Sequence, residues 1–567
     1  MSSPTSDFTS GVESAGKSRR RRYNGAKAET EEFKGTPEDQ RQMRRMGLTQ
    51  ETRRGFKTWG MVGFVSSVMM SPQMAWNIMP YTLYDGAPGA YFWGLLLAVP
   101  TFALTYTSLA ELTAMIPAAG GQYQWISELA PRRSQKSFSY IMGWLLTLGW
   151  QTYVALVCFT CASGILGLSS LTYDFTPQPY QVTLTTCCLA ILAGLVNTFF
   201  SDRLPILEII AGISHVLGPP AFLITFLVLS PLNNAHDAFL GFSNLGGWGM
   251  PSTAGTIGMY LQASLFVGYD CTVHMSEEIN DASKTMPQVL KWAFVLNLVL
   301  MLLTNLTFMF CIPHPGHILN TPTGIPYIQL FYDATQSLAG ASICVVKILV
   351  DLGFAGVSEQ ACASRQLWAF SRNNGVPLSS YLRHVPDRWN VPVASIWVSV
   401  ACTCLLSCIN LGSTLALNAL ISLGGTSIIM SYIFSIGCTI LRRQRRLPLP
   451  DPSKAFLGSK GMIVNIGALV FLLPLLLFVN FPLFDHPGAA GLNWGPVLFG
   501  AVAVFSAIYY AVWGRNHYDP PLDRVSSHAV LIDHEMDTIT SNTPGKGLAN
   551  GTQSEEIDLN TAEVRKR

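Results

Sequence analysis

The residues FVGYD (266–270) interrupt an apolar stretch that runs from about residue 256 to residue 276. A second interruption, MSPQ (70–73), lies about 197 residues earlier, inside the first apolar stretch at 59–82. Its proline removes a backbone hydrogen-bond donor, and the glycine and the acid of the later stretch stand where plain apolar residues are expected. In membrane proteins built from two inverted repeats, the first helix of each repeat is often broken at mid-membrane. The two interruptions therefore predict a five-plus-five inverted repeat with broken helices 1 and 6.

Apolar runs near the ~20 residues that a helix needs to cross a bilayer fill the middle of the chain. In chain order, as spans 1 to 12, their approximate limits are 59–82, 91–116, 138–165, 181–200, 204–230, 256–276, 291–312, 338–358, 392–411, 414–440, 462–481 and 493–513. Because lipid offers no hydrogen-bond partner to the backbone, such runs must be helices and not open sheet. We therefore expect an all-α multi-pass membrane protein with about 12 transmembrane helices.

The composition excludes an ordinary soluble enzyme. Of the 567 residues, 49% are hydrophobic and only 12% are charged, whereas about a quarter of a typical soluble domain is charged. The net charge of +2 gives no indication of a nucleic-acid partner. Both ends of the chain are polar, which predicts disordered cytoplasmic tails. The predicted divisions are an N-terminal tail (1–57), a twelve-helix body (58–514) and a C-terminal tail (515–567). Within the body, the two repeats lie at about 59–230 and 256–440, and helices 11 and 12 follow at 462–513.

The distribution of basic residues predicts the orientation, because lysine and arginine collect in cytoplasmic loops. With the N-terminal tail in the cytoplasm, 13 of the 36 basic residues lie in that tail, 16 lie in alternate loops and 6 follow residue 514. The remaining one, Lys347, lies within a span, and the other set of loops contains none. Both termini are therefore predicted to be cytoplasmic. We expect the plasma membrane, with the vacuolar membrane as the alternative.

One stretch matches a nucleotide-binding pattern, and we interpret the match as accidental. GVESAGKS (11–18) fits the phosphate-loop pattern letter for letter, but that loop works only between a buried strand and a helix. Here the surrounding segment is too polar to fold alone. No other nucleotide or cofactor motif is present, and the C-x-x-C at Cys158 to Cys161 has no His or carboxylate at ligand spacing. We therefore expect no cofactor and no metal. Movement of a small solute, passive or coupled to an ion, is the remaining class of function.

The two interruptions are predicted to line the substrate cavity, because helix ends exposed at mid-membrane can bind polar groups. The candidate substrate-binding residues are Ser71, Pro72, Gln73 and Met74 at the first break and Val267, Gly268, Tyr269 and Asp270 at the second. The alternative is that Pro72 and Gly268 are only packing kinks. No sequence feature indicates an oligomeric state.

Ionisable residues inside the membrane are costly, and they are therefore candidates for function. Asp270 lies at the second break, where it could carry a proton or bind a substrate ammonium, or merely cap free backbone N–H groups. His274 lies one turn further on and could relay protons, or be a structural histidine. Lys347 and Asp351 are four residues apart, so they share one helix face and can pair. That pair could couple transport to protons or be purely structural.

A further set of charged residues lies at the predicted cytoplasmic ends of the spans. Glu111 ends span 2, and Glu277 and Glu278 end span 6. These acids could form gate ion pairs with arginines of the loops, of which Arg365 is one, or they could contact substrate.

Several motifs resemble those of the fungal amino acid/choline transporter family, within the amino acid, polyamine and organocation (APC) permease superfamily. They are SLAE (108–111) and PAAGGQYQW (117–125) after span 2, GYD (268–270) with HMSEE (274–278) in span 6, SRQLWAFSR (364–372) with GVP (375–377) after span 8, and LNW (492–494) with Tyr509-Tyr510 near the end. The resemblance covers nearly the whole body of the chain.

The resemblance implies a twelve-helix fold with broken first and sixth helices and alternating access. It also implies a secondary active transporter, usually a proton-coupled importer, whose substrate is 4-aminobutyrate, another amino acid or choline. From physical reasoning a zwitterion is the first choice, since the helix ends at the breaks can bind its carboxylate and Asp270 its ammonium. The alternatives are a carrier of choline or another quaternary amine, and a nutrient sensor that keeps the fold without transporting.

Overall fold

The computed structural model describes residues 35–173, 175–312, 318, 319, 321, 323–488 and 491–521. The phosphate-loop pattern at 11–18 and nearly all of the predicted C-terminal tail lie outside the described residues.

The helices are α1 Pro37–Arg45, α2 Thr58–Met69, α3 Ser71–Tyr84, α4 Gly89–Met115, α5 Gln122–Leu129, α6 Gln135–Thr172, α7 Pro179–Phe199, α8 Leu204–Leu229, α9 Ala235–Leu240, α10 Pro251–Ala263, α11 Cys271–His274, α12 Ala282–Cys311, α13 Pro326–Thr335, α14 Leu338–Arg372, α15 Ser379–Leu382, α16 Val393–Cys408, α17 Thr414–Gln444, α18 Gly461–Val479, α19 Gly495–Tyr509 and α20 Arg515–His517.

The spans correspond closely to the predicted apolar runs. Within the described part of the chain, 10 helices are long and apolar enough to cross a membrane. The two remaining predicted spans, 1 and 6, are each divided into shorter pieces, α2 with α3 and α10 with α11. The structure therefore confirms the all-α multi-pass fold with broken helices 1 and 6.

The two breaks have different backbone causes. At the first, Met70 adopts a left-handed conformation with φ 34° and ψ 36°, and Pro72 stands in the first turn of α3. At the second, α10 passes through a short 3-10 turn into extended Val267, and Gly268 follows with φ +108°. A side chain is strained at that φ, so the second break depends on glycine.

Two pairs of equivalent helices from the two halves pack in the centre of the molecule. Span 3 (α6) lies along span 8 (α14), and span 2 (α4) lies along span 7 (α12). Within the first half, α2 of span 1 lies along span 5 (α8). Trp76 on α3 is buried and fixes the second half of span 1 to its neighbours. Its ring contacts Phe222 on α8, Phe308 on α12 and Phe331 on α13, at centroid distances of 5.5, 4.6 and 4.7 Å. These aromatic contacts hold the first break in position.

Span 8 is longer than its apolar run. The hydropathy predicts an end at residue 358, but α14 continues to Arg372, so that the SRQLWAFSR motif lies on the helix and not in the following loop. The extension is possible because its charged side chains are paired. Arg365 and Arg372 bind Glu278 and Glu277, respectively.

The predicted disorder of the N-terminal tail is wrong for residues 35–57, which we call the strap. The strap contains α1 and packs on the loops that join the spans. Its central feature is a buried ion pair between Asp39 and Arg54, whose side chains are each 3% exposed. Asp39 also accepts hydrogen bonds from the backbone N–H groups of Asp281 and Ala282, at the start of α12. Specific pairing therefore orders a segment whose composition alone predicts a tail.

The strap lies at one end of the helices, which we call the strap face. The opposite face carries a small antiparallel ribbon that the sequence did not indicate. Its strands are β1 Asp85–Pro88 and β2 Phe242–Asn244, paired as Asp85 with Asn244 and Pro88 with Phe242. The ribbon joins the end of span 1 to the loop before span 6.

Candidate functional site

The two broken spans touch each other at their breaks. Ser71 Oγ, at the start of α3, donates a 2.6 Å hydrogen bond to the carbonyl of Leu265, just before the second break. Tyr106 on α4 donates another, also of 2.6 Å, to the carbonyl of Phe266. The eight predicted substrate-binding residues are all buried except Met74, which is half-buried. The structure thus brings the two predicted halves of the site together.

Asp270 is held by side chains from two other parts of the chain. Gln122 on α5 donates to its Oδ2 over 2.6 Å, and the Tyr432 hydroxyl on α17 donates to its Oδ1 over 2.5 Å. Its side chain makes no capping hydrogen bond to α11. Of the interpretations considered for Asp270, a helix cap is therefore wrong. The carboxylate instead connects the second break to span 10 and to the loop after span 2.

His274 faces the same loop. Its Nδ1 lies 2.9 Å from the carbonyl oxygen of Ala119, and its Nε2 lies 3.8 Å from Asp270 Oδ2. The loop can approach this closely because Gly121, with φ +62°, leaves the space that a side chain would fill. A Cβ at that position would lie 3.0 Å from the imidazole carbon Cε1 of His274. The PAAGGQYQW motif therefore closes over the second half of span 6.

Lys347 and Asp351 form the predicted pair on span 8. Two further side chains bind the same carboxylate. Gln73, at the first break, donates to Asp351 Oδ2 over 2.7 Å, and Ser214 on α8 donates to Oδ1 over 2.6 Å. The pair therefore joins spans 1, 5 and 8. The Lys347–Asp351 pair is separate from the cluster of Asp270 and His274. Gln73, a predicted substrate-binding residue, bonds to the pair through Asp351.

The predicted gate residues are all in ion pairs at the strap face. Glu111 pairs with Arg443, Glu277 accepts a 2.9 Å hydrogen bond from Arg372, and Glu278 accepts a 2.8 Å hydrogen bond from Arg365. The three acids are buried and not at an open rim. The strap residues Gln50 and Thr52 bond to the backbone of Glu277, and the backbone N–H of Leu457 bonds to Glu111. These pairs connect spans 2, 6, 8 and 10 across the strap face.

Two buried acids on the long spanning helices were not predicted from the sequence. Glu359 on α14 is fully buried, and neither of its oxygens has a hydrogen-bond partner among the described residues. It was missed because the apolar run of span 8 ends at residue 358. Glu208, near the start of α8, accepts a 2.7 Å hydrogen bond from Ser358, and its place in an apolar run was a signal that could have identified it.

Several polar atoms around the breaks are buried and have no hydrogen-bond partner in the part of the chain that the structure describes. They include Gln73 Oε1, Tyr269 Oη, His274 Nε2 and Trp150 Nε1. A cavity of about 310 Å³ lies above the breaks toward the opposite face, lined in part by Ile78 on α3, Leu261 on α10 and Ser422 on α17. Unpaired polar atoms of this kind are costly in a membrane interior, and a polar solute could bind them. Within the described ranges, no group of three or more His, Cys, Asp or Glu could hold a metal ion.

Comparison with known proteins agrees with this geometry. The family model described as amino acid permease matches residues 56–504. A Macrophomina phaseolina protein named as an amino acid/polyamine transporter is 28% identical, over 76% of this chain and 96% of its own length. The GABA-specific permease of Saccharomyces cerevisiae is 26% identical over 89% and 90% of the two chains, and the choline transporter of the same yeast is 24% identical over 86% of each. The match identifies a small-molecule transporter and not an enzyme. The chain belongs to the amino acid permease family.

Proposed function

We propose that this permease imports a small amino acid or related amine by alternating access, coupled to protons. The observation that carries the proposal is the hydrogen bond between Ser71 and Leu265, which joins the two spans at the points where their helices are broken. A solute bound between the breaks contacts both halves of the fold at once. Its binding can therefore change their relative position, which is what alternating access requires.

A zwitterion fits the site best. Its carboxylate is favoured at the N-terminus of α3, where the helix dipole is positive. Its ammonium is favoured near the buried acids on the other side of the breaks. The relatives named as a GABA-specific permease and a choline transporter support 4-aminobutyrate first and a quaternary amine second.

The coupling group that we propose is Asp351, with Lys347 as its partner. Protonation of Asp351 removes its charge, which weakens the pair and the charge-assisted hydrogen bond from Gln73. Span 1 is then less tightly bound to spans 5 and 8 and is free to move. Asp270 and His274 form a second candidate pair, since the two side chains lie close together at the other break.

The ion pairs of Glu111, Glu277, Glu278 and Arg365 are proposed to be the cytoplasmic gate. They lie together with the strap at one face, where a cavity of about 500 Å³ is lined in part by Arg54 and Glu278. The cavity of about 310 Å³ lies toward the opposite face. With the strap face in the cytoplasm, we propose that these pairs close the path from the breaks to the inside. We propose both termini in the cytoplasm and the plasma membrane as the location, with the vacuole as the alternative.

The test is transport by the purified full chain in lipid vesicles. Labelled 4-aminobutyrate, a mixture of amino acids and choline are each followed with and without an inward proton gradient, and Asp351→Asn and Asp270→Asn are run in parallel. Gradient-dependent accumulation of one solute, lost in Asp351→Asn, supports the proposal and names the substrate. Loss in Asp270→Asn alone would assign the coupling to Asp270 and His274. Binding without accumulation would overturn it in favour of a sensor.

A further inference from the structure

Glu359 occupies the part of span 8 that faces the second break. Gly356, three residues before it on α14, faces span 3, where an added Cβ would lie 3.8 Å from the Cys158 sulfur. Cys362, three residues after it, lies with its sulfur 3.8 Å from the carbonyl oxygen of Cys271, at the start of α11. Residues three apart are neighbours on one helix face. Glu359 is therefore directed between span 3 and the broken span 6.

The titratable groups around Glu359 offer it no positive charge. On span 3, Tyr153 and Cys158 are close enough to interact with it electrostatically. Tyr153 interacts in the same way with Asp270, so both acids lie within electrostatic reach of one tyrosine. On its own helix the neighbour is Cys362, which contacts Cys271. No lysine, arginine or histidine of the described chain forms an ion pair with Glu359.

An ionised carboxylate without a partner is strongly disfavoured in a membrane interior, by several kcal/mol. Two states remove that cost. The carboxyl can hold a proton and be neutral, or it can be ionised beside a cation supplied by a ligand. Asp270 needs neither a bound proton nor a ligand cation, because Gln122 and Tyr432 already donate hydrogen bonds to it. Asp351 does not need them either, because it forms an ion pair with Lys347.

We propose that Glu359 is the counter-ion for the cationic group of the substrate, and that it holds a proton when the carrier is empty. This inference rests on the function proposed above and names the group that recognises the ammonium or quaternary ammonium. When the amine enters, the proton leaves Glu359 for water and the cation takes its place. Because proton and amine compete for one carboxyl, the proton that drives import is carried by another group, Asp351.

The test measures binding and not transport. The purified full chain in detergent is titrated with choline and, separately, with 4-aminobutyrate, at about pH 6 and about pH 8, where the nitrogen of each probe stays fully charged. Calorimetry in two buffers of different ionisation enthalpy gives the number of protons released. We expect release of up to about one proton per bound probe and tighter binding at the higher pH.

Three variants make the result specific. Glu359→Gln is expected to weaken binding at least about tenfold and to abolish proton release. Glu359→Asp keeps a carboxyl group and is expected to release protons on binding, unlike Glu359→Gln. The comparison separates loss of the carboxyl group from a folding defect. Glu208→Gln removes another buried acid, one that already accepts a hydrogen bond from Ser358, and is expected to leave the release unchanged.

The outcomes separate this inference from the proposed function. Three results would each overturn the counter-ion inference. They are unchanged affinity in Glu359→Gln, proton release that persists in that variant, and failure of both probes to bind the wild-type chain. As a second measurement, infrared spectra at neutral pH are expected to show a protonated carboxyl band that Glu359→Gln lacks, and its absence from the wild type would also contradict the proposal. If binding released protons but no solute accumulated in vesicles, the transport proposal would be rejected. The assignment of Glu359 as the counter-ion would still hold.

Discussion

The Ser71 hydroxyl donates a 2.6 Å hydrogen bond to the carbonyl of Leu265, and so ties the first broken span to the second. Both groups are buried in the centre of the molecule, where water cannot replace a lost partner. An unsatisfied buried carbonyl costs about 1–3 kcal/mol. The bond therefore contributes both to stability and to the relative position of the two breaks.

Ser71→Ala is expected to reduce the rate of substrate uptake and to lower the melting temperature of the purified protein. The matched control is Ser169→Ala on α6, whose hydroxyl donates to the carbonyl of Ile165 in its own helix and to no other described residue. Uptake and thermal melts in detergent are measured for both variants. Equal effects from the two substitutions would argue against a special role for the contact between the breaks.

Tyr432→Phe removes one of the two side-chain donors to Asp270. A hydrogen bond to a charged group contributes about 1.5–3 kcal/mol, so we expect a clear loss of stability and altered uptake. Tyr91→Phe is the control, because its hydroxyl bonds at 3.3 Å to a neutral backbone carbonyl. If Tyr432→Phe behaved like Tyr91→Phe in melting and uptake, Asp270 would not depend on this contact.

The strap depends on the buried pair of Asp39 and Arg54. Asp39→Ala leaves the arginine buried without its partner, which is expected to destabilise the folded state by about 3–5 kcal/mol. Arg41→Ala breaks only an exposed pair with Glu38 and is expected to cost at most about 1 kcal/mol. Limited proteolysis of residues 35–57 and thermal melts measure both effects. Equal protease resistance in the two variants would show that the buried pair does not hold the strap.

Glu128 on α5 gives a prediction about pH. Its burial raises the pKa of the carboxyl from 4.5 to about 7, although Arg45 and Arg442 oppose the shift. The folded protein therefore binds this proton more tightly than the unfolded chain, and the contribution of Glu128 to stability falls as pH rises from about 4.5 to about 7. The full shift corresponds to about 3 kcal/mol.

Glu128→Gln is therefore expected to be more stable than the wild type at about pH 8 and about equal to it near pH 4. The melting temperatures of both proteins are compared across this range, so that the titration of other groups cancels. A constant difference at all pH values would contradict the raised pKa.

The proposed gate can be tested by exchanging charges. Glu277→Arg combined with Arg372→Glu keeps an ion pair at the same place, whereas each single change puts like charges together. We expect each single variant to lose most of its uptake and the double variant to recover part of it. Uptake in vesicles is the measurement, and additive losses in the double variant would indicate that the pair does not act as a unit.

Much of the fold can be predicted from local sequence signals. Spans 1 and 6 break where MSPQ and FVGYD interrupt apolar runs, because a proline or glycine acts on the backbone at its own position. The pairing of Lys347 with Asp351 is local too, since residues four apart on a helix must be neighbours. The order of the strap escaped prediction, because its polar composition carries no sign of the buried contacts that Asp39 makes.

The sequence by itself determined the membrane class, the limits of most spans and the two breaks, since lipid requires long apolar helices whatever their neighbours are. Only the tertiary structure decided which side chains bind Asp270, which arginines neutralise Glu277 and Glu278, and that Glu359 has no hydrogen-bond partner among the described residues. These facts depend on residues more than about eighty positions apart in the chain. Their contacts arise when the helices pack, and no local pattern of hydrophobicity or charge specifies them.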